Sequence, residues 1–302
     1  MLSGGQTRPY LILTSIAALW GSYPVFAKIA LAHFPPYVLV VLRTSLASAF
    51  LVVLLLRRGF DEFRALSWSD VRSFAFLGFT GIFVSTGGTY LGIAFTTASS
   101  AALLQAASPV MVALGAWLYL RERLRRRQWL GVALSTLGVI LVVTRGSGRA
   151  IGHLELLPGD FIIIAGQAGW AVYTVYGKRV LAVHSPALVT TAAYVLGSLM
   201  LLPVPFLTAK LFPAPDWASP VAWAVVAGQA VLGAVAHVWW YEGVLEVGAS
   251  RAAIFMNLQP LVGVALAGGL LGETVEAAEI LGGLAVLVGV WLTSGLSPGR
   301  AS

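Results

Sequence analysis

Long apolar stretches recur along almost the whole chain, each close to the roughly 20 residues a helix needs to cross a bilayer core, and polar residues are crowded into the segments between them. The pattern predicts membrane helices at Tyr10–Ala32, Tyr37–Leu56, Phe74–Ile93, Ser99–Leu120, Gln128–Thr144, Phe161–Val180, Pro186–Phe206, Pro220–Val244, Ala249–Leu271 and Ala277–Gly295. Such spacing leaves no room for a soluble domain. The expected fold is an all-α membrane protein. The first run is too long for a cleavable signal, contains Trp20, Pro24 and Lys28, and lacks a clear small-residue cleavage site, so it is expected to remain as the first helix.

Marks inside these stretches repeat. Trp20-Gly-Ser-Tyr23-Pro-Val25-Phe-Ala-Lys28 is echoed by Trp170-Ala-Val-Tyr173-Thr-Val175-Tyr-Gly-Lys178 at a constant offset, which Pro36 and Pro186 share. One residue further in offset, Tyr90, Gly92, Ser99, Pro109, Glu122, Gly131 and Gly138 match Tyr241, Gly243, Ser250, Pro260, Glu273, Gly282 and Gly289. Each copy holds five helices. An odd number forces the second copy to enter the membrane from the other side, so residues 1–150 and 151–302 are expected to be inverted repeats around a central cavity, forming one integrated transporter domain.

Composition sharpens this picture. The chain is 58% hydrophobic and 10% charged, with a mean hydropathy of +0.87, a balance a water-soluble globule could not cover. The net charge of +7 would fit a nucleic-acid partner, but the basic residues lie between spans, so no nucleic acid is expected. Arg8, Arg57, Arg58, Arg64, Arg72, the Arg121 to Arg127 cluster, Lys178, Arg179, Arg251 and Arg300 fall on one side, against Arg145, Arg149 and Lys210 on the other. By the positive-inside bias both termini are cytoplasmic, in a multi-pass protein of a bacterial inner membrane. Lys28 and Arg43 are left inside or near spans. Cysteine is absent, which removes disulfides and thiolate chemistry.

The WGSYPVFAK stretch from Trp20 to Lys28, the run from Ala98 to Pro109, and Leu120-Arg-Glu122-Arg with its partner Leu271-Gly-Glu273-Thr resemble the drug/metabolite transporter superfamily, EamA family, and within it the YddG-type amino-acid exporters. The resemblance covers essentially the whole chain. It implies that the fifth and tenth helices pack together at the edge, leaving helices one, three, four, six, eight and nine around the cavity.

Candidate site residues follow from polarity at depth. Pro109 and Pro260 interrupt apolar spans at equivalent places, each removing a backbone donor and freeing the carbonyl four residues earlier, of Gln105 and Met256. The amides of Gln105, Asn257 and Gln259 stand beside them. Trp20 with Tyr23, and Trp170 with Tyr173, share helical faces near mid-span, too deep for an interfacial belt. Tyr90 belongs to the repeat-matched marks. His237 shares a face with Trp240 and Tyr241 inside the eighth span. Core packing or an interfacial belt is the competing role for these aromatics. A cavity so lined would suit aromatic or bulky neutral amino acids.

Lys28 and Lys178, at matched positions near opposite faces, are candidates for gating, with snorkelling as the plain alternative. The carboxylates fall near span ends, Glu242 being the plausible exception, so facilitated diffusion or weak coupling is expected over ion coupling. Export of a drug or other metabolite by proton antiport is the alternative. A membrane-embedded enzyme or a receptor is the different-class alternative, but no HExxH, GxSxG, CxxC or Walker glycine loop is present. No metal or cofactor is expected. The expected partners are a small-molecule substrate and membrane lipid, and ten helices already supply a full repeat pair, so a monomer suffices.

Overall fold

The computed structural model describes residues 4–57, 66–105, 107–120, 126–144, 157–247, 255–256 and 258–293, and the regular elements among them are helices. Numbered by span, they are α1 (Gly4–Leu31), α2 (Pro36–Leu56), α3 (Trp68–Ala94), α4 in two pieces (Ala98–Gln105 and Ser108–Leu120) and α5 (Arg126–Thr144). The second half supplies α6 (Pro158–Val180), α7 (Pro186–Leu201, with a short extension Val204–Leu207), α8 (Pro220–Val247), α9 (Leu258–Leu271) and α10 (Ala277–Thr293). In α1, α2, α3, α4, α7 and α8 an apolar stretch long enough to cross a membrane is present, and α5, α9 and α10 carry shorter ones.

Helix boundaries follow from local chemistry. Prolines open α2, α6, α7 and α8, where the missing N–H would have had no intrahelical partner. Ser67 and Asp70 form a reciprocal capping box at the start of α3. Gly272 ends α9 in the left-handed region, φ 65°, with nothing within 4 Å of where a Cβ would sit. The Gly268-xxx-Gly272 pair is therefore a helix stop and not the close-approach motif its spacing suggests.

Packing between the halves is reciprocal. α1 lies against α8 and α9, and α6 lies against α3 and α4; α2 lies against α7 and α8, and α7 against α2 and α3; α5 pairs with α10. Exchanging the halves maps this set onto itself, which is what an approximate twofold axis produces. Since each half has five helices, the axis lies in the membrane plane and the repeats are inverted. Ser48 and Ser198, 150 residues apart, hydrogen-bond each other at 3.1 Å, so the axis passes between α2 and α7 at that point. The repeat-matched glycines of α5 and α10 pack in crossed fashion. A Cβ on Gly138 would lie 2.5 Å from the Gly282 carbonyl, and one on Gly289 would lie 2.5 Å from the Gly131 carbonyl.

Two histidine–aspartate contacts obey the same symmetry on opposite membrane faces. His33, after α1, meets Asp216 before α8 at 3.2 Å, while His184, after α6, meets Asp70 at the start of α3 at 2.9 Å. In sequence the histidines look scattered, because only inversion brings their positions into correspondence.

One irregularity was not legible in the pattern. The middle of α3, Gly78–Gly87, is π-helical. The Thr86 hydroxyl donates to the Gly81 carbonyl five residues back at 3.0 Å. Wide turns of this kind re-aim side chains, and here they lie next to the cavity.

Candidate functional site

A cavity lies at the centre of the bundle, lined by residues of both halves. α1 supplies Trp20, Tyr23 and Pro24; α3 supplies Ser85, Thr86, Thr89, Tyr90 and Ile93; α4 supplies Gln105 and Ser108. α6 adds Gln167 and Trp170, α8 adds His237, and Met256 and Gln259 come from the start of α9 and just before it. α2 also reaches the cavity, through Arg43. The resemblance had assigned no role there to α2.

Trp20, Trp170 and His237 form one aromatic wall. The two indoles meet edge to face with ring centroids 5.7 Å apart, and the imidazole lies 4.9 Å from Trp20 and 5.7 Å from Trp170. Trp20 and Trp170 are repeat mates, so this contact also lies on the axis. The His237 Nδ1 is 2.8 Å from the Gly233 carbonyl and 3.1 Å from the Tyr194 hydroxyl, which leaves Nε2 as the ring nitrogen able to meet a ligand. The Trp20 Nε1 donor is buried without a hydrogen-bond partner among the described residues.

Two walls that are equivalent by symmetry differ. On one side Tyr23 and Tyr90 flank the Arg43 guanidinium, 5.1 Å and 5.3 Å from their ring centroids. Gln229 braces both: its Nε2 donates to the Tyr23 carbonyl at 3.3 Å, and its Oε1 accepts from the Tyr90 hydroxyl. On the other side the repeat mates Tyr173 and Tyr241 stack directly on each other, centroids 5.4 Å apart at 22°, both fully buried. Trp240 packs behind Trp20 at 5.7 Å. Tyr173, Trp240 and Tyr241 therefore stand outside the cavity lining and close the half of the bundle nearer the N-terminus.

The prolines behave differently from the expectation. Pro109 is the second residue of the second piece of α4, and Pro260 the third residue of α9. Both lie in a first turn, where a missing donor costs little, so they restart helices after interruptions and do not kink them. The Met256 carbonyl is not left free, since it accepts from the Gln259 N–H at 3.0 Å. Gln105 lines the cavity and turns its Nε2 back to the Ala101 carbonyl at 3.1 Å. Asn257 lies outside the described residues.

At the face where α1 ends, Lys28 donates to the carbonyls of Ile93 at 2.9 Å and Thr96 at 2.5 Å. The Thr96 hydroxyl donates to Asp160 at 2.5 Å. Glu273 accepts from the Ala98 and Ser99 N–H groups at 2.9 Å, and Glu279 accepts from the Ser100 hydroxyl at 2.7 Å. These contacts tie α1, α4, α6, α9 and α10 together beyond the cavity. Lys178, its repeat mate, is exposed at the opposite face. Glu242 is exposed and lines pockets on the outer part of α8, not the central cavity.

The model of the EamA-like transporter family matches residues 8–144 and 157–295, once in each half. The chain belongs to this family. Among its relatives, the uncharacterized transporter YyaM of Bacillus subtilis is 30% identical over 95% of this chain and 93% of its own length. The uncharacterized transporter YetK of the same organism is 30% identical over 95% and 87%. A protein of Salmonella typhimurium named a probable amino-acid metabolite efflux pump is 25% identical over 92% and 91%. A solved structure titled only as the crystal structure of a protein superposes with a TM-score of 0.67 at 19% identity, covering 96% of this chain and 99% of that one, and supports the fold alone. As an EamA-like protein the chain is a membrane transporter of small metabolites, and the names of these relatives are names of transporters.

Sequence reasoning overlooked Arg43, Gln167 and the α3 hydroxyls as lining residues. A signal existed for α3: Ser85, Thr86, Thr89 and Tyr90 recur at one-turn spacing inside an apolar span. For Arg43 the signal was a charge at mid-span, which is costly unless it is used.

Proposed function

We propose that this EamA-like protein exports small amphiphilic metabolites, aromatic or bulky neutral amino acids foremost, by alternating access. The observation that carries the reading is the cavity on the repeat axis, walled by Trp20, Trp170 and His237 and open to amide and hydroxyl groups. Flat indole faces offer a large apolar surface for a substrate side chain, and the Trp20 Nε1, the His237 Nε2 and the Gln105 Oε1 offer polar contacts to its head group. The printed name of the Salmonella relative supports both the substrate class and the direction of transport.

Alternation follows from the symmetry. The Tyr173–Tyr241 stack closes one half of the bundle, and the Lys28 network ties the other face together. Exchanging the conformations of the two halves would open each in turn, with Lys28 and Lys178 taking corresponding roles as gate residues. The distribution of arginines supports both termini in the cytoplasm, and the protein is proposed to act as a monomer surrounded by the lipid of a bacterial inner membrane. The two halves, residues 1–150 and 151–302, act as one unit.

No carboxylate lines the cavity among the described residues, so transport is gradient-driven or weakly coupled. Proton antiport through His237 is the second reading, favoured by its burial beside the substrate space. The deciding experiment is uptake of radiolabelled phenylalanine, tryptophan, threonine and methionine into liposomes holding the purified protein, first without and then with a pH gradient. Saturable uptake at symmetric pH supports the primary reading. Uptake only against an imposed proton gradient moves the mechanism to antiport, and no uptake of any amino acid overturns the substrate class.

A further inference from the structure

We propose that Arg43 is the anchor for a carboxylate on the transported molecule, so that the cavity selects substrates carrying that group. The inference deepens the amino-acid reading above and rests on it for the identity of the rest of the substrate.

Arg43 is 3% exposed and in the middle of α2. Its neighbours are the rings of Tyr23 and Tyr90, and the side chains of Tyr23 and Tyr194 hydrogen-bond the guanidinium. The Nε donor is buried with no hydrogen-bond partner among the described residues. Among the described residues the ion pairs are His33–Asp216 and His184–Asp70, and neither involves it. A guanidinium withdrawn from water is stable only when an anion and its hydrogen bonds replace the lost hydration, and tyrosine faces supply a small part of that. Because Arg43 lines the cavity, the missing anion can come from there.

The duplication supplies a control within the chain. At the same register in the second half, 150 residues on, stands Ala193, fully buried. There the tyrosine pair stacks on itself, whereas in the first half the guanidinium sits between the corresponding rings. The fold is thus built equally well with a methyl group at this place. An added Cβ at Gly233 would lie 3.0 Å from Nη2 and 2.7 Å from the Tyr23 hydroxyl, so the opposing helix is kept bare where the guanidinium lies. A guanidinium with its Nε unpaired among the described residues can meet a carboxylate in a charge-assisted hydrogen bond, and the aromatic wall of Trp20 and Trp170 lines the same space for the remainder of the molecule.

The test is thermal stabilisation of the purified full-length protein in detergent at constant ionic strength, with phenylalanine, 3-phenylpropionate and phenethylamine as probes, and lactate, pyruvate and gluconate as non-aromatic carboxylates. Phenylalanine and 3-phenylpropionate are expected to raise the midpoint, with phenethylamine inactive. Arg43→Gln should raise the phenylalanine concentration needed by about tenfold or more, the loss typical of a charge-assisted hydrogen bond, with Arg43→Lys in between. Gly233→Ala, which leaves the charge in place but crowds it, should weaken phenylalanine in the same direction and by less. Equal stabilisation by phenylalanine and phenethylamine would overturn the anchor and leave the amino-acid reading standing. Stabilisation by the non-aromatic carboxylates alone would keep the anchor and overturn the amino-acid reading. Equal stabilisation by chloride at the same ionic strength, or none with any probe, would overturn the anchor outright.

Discussion

Trp20 and Trp170 occupy the same position of two repeats 150 residues apart in sequence, and their indoles meet edge to face at 5.7 Å in the middle of the bundle. A contact between repeat mates can occur only at the symmetry axis. The cavity is built around that contact, so the two halves hold its contents jointly, and whatever moves one half relative to the other changes the site.

Replacing either indole should therefore impair transport more than folding. Trp170→Ala is expected to lower saturable amino-acid uptake in liposomes by about tenfold or more, equivalent to roughly 1.4 kcal/mol of lost interaction, while Trp170→Phe retains most of it. Equal uptake by the alanine variant and the wild type would remove Trp170 from the site.

The axis between α2 and α7 can be checked by chemistry, because the chain has no cysteine of its own. Ser48→Cys combined with Ser198→Cys places two sulfur atoms where hydroxyls now stand 3.1 Å apart, within reach of a disulfide after small adjustment. Mild oxidation is expected to give a reductant-sensitive shift in gel mobility, and the single variants should give none. A pair that stays reduced would place the axis elsewhere.

Glycine replacement separates packing from mere composition. Gly138→Ala drives a methyl group into the Gly282 backbone and should lower the thermal midpoint; overpacking of this kind costs about 1–3 kcal/mol. Gly228→Ala on α8, which meets nothing within 4 Å, should be neutral or raise it, since alanine favours helix over glycine by about 0.8–1.0 kcal/mol. Circular dichroism melts in detergent read both.

Lys28 holds the α3–α4 turn through the Ile93 and Thr96 carbonyls. Lys28→Gln is expected to loosen that face, so that a cysteine introduced at Ile93 reacts faster with a membrane-impermeant thiol reagent. Lys178→Gln should leave the rate unchanged, since Lys178 is exposed at the other face in this conformation. Unaltered labelling in Lys28→Gln would reduce Lys28 to a snorkelling residue.

Coupling is tested at Glu242. Its exposure away from the cavity predicts that Glu242→Gln leaves the pH dependence of uptake as it is in the wild type. A variant that loses a pH response would return Glu242 to the transport path.

Hydropathy, the repeated marks and the basic clusters were enough to define an all-helical bundle of inverted repeats, because each reports a one-dimensional constraint. A helix must be about 20 apolar residues long to span a bilayer, and a duplicated gene leaves matched residues at a constant offset. The aromatics at Trp20 and Trp170 were legible as a mid-membrane pair for the same reason. Their mutual contact was not, nor was the division of the tyrosines into a stacked pair that closes one half and an open pair around Arg43. Those outcomes depend on which helix faces oppose one another across the axis, which a linear pattern leaves undetermined. The prolines show the same limit: Pro109 and Pro260 read as breaks within spans, yet a proline in the first turn of a restarted helix breaks nothing. Arg43 was visible only as a charge out of place, and tertiary packing, by burying it against the cavity with no carboxylate paired to it among the described residues, turned it into a candidate for binding.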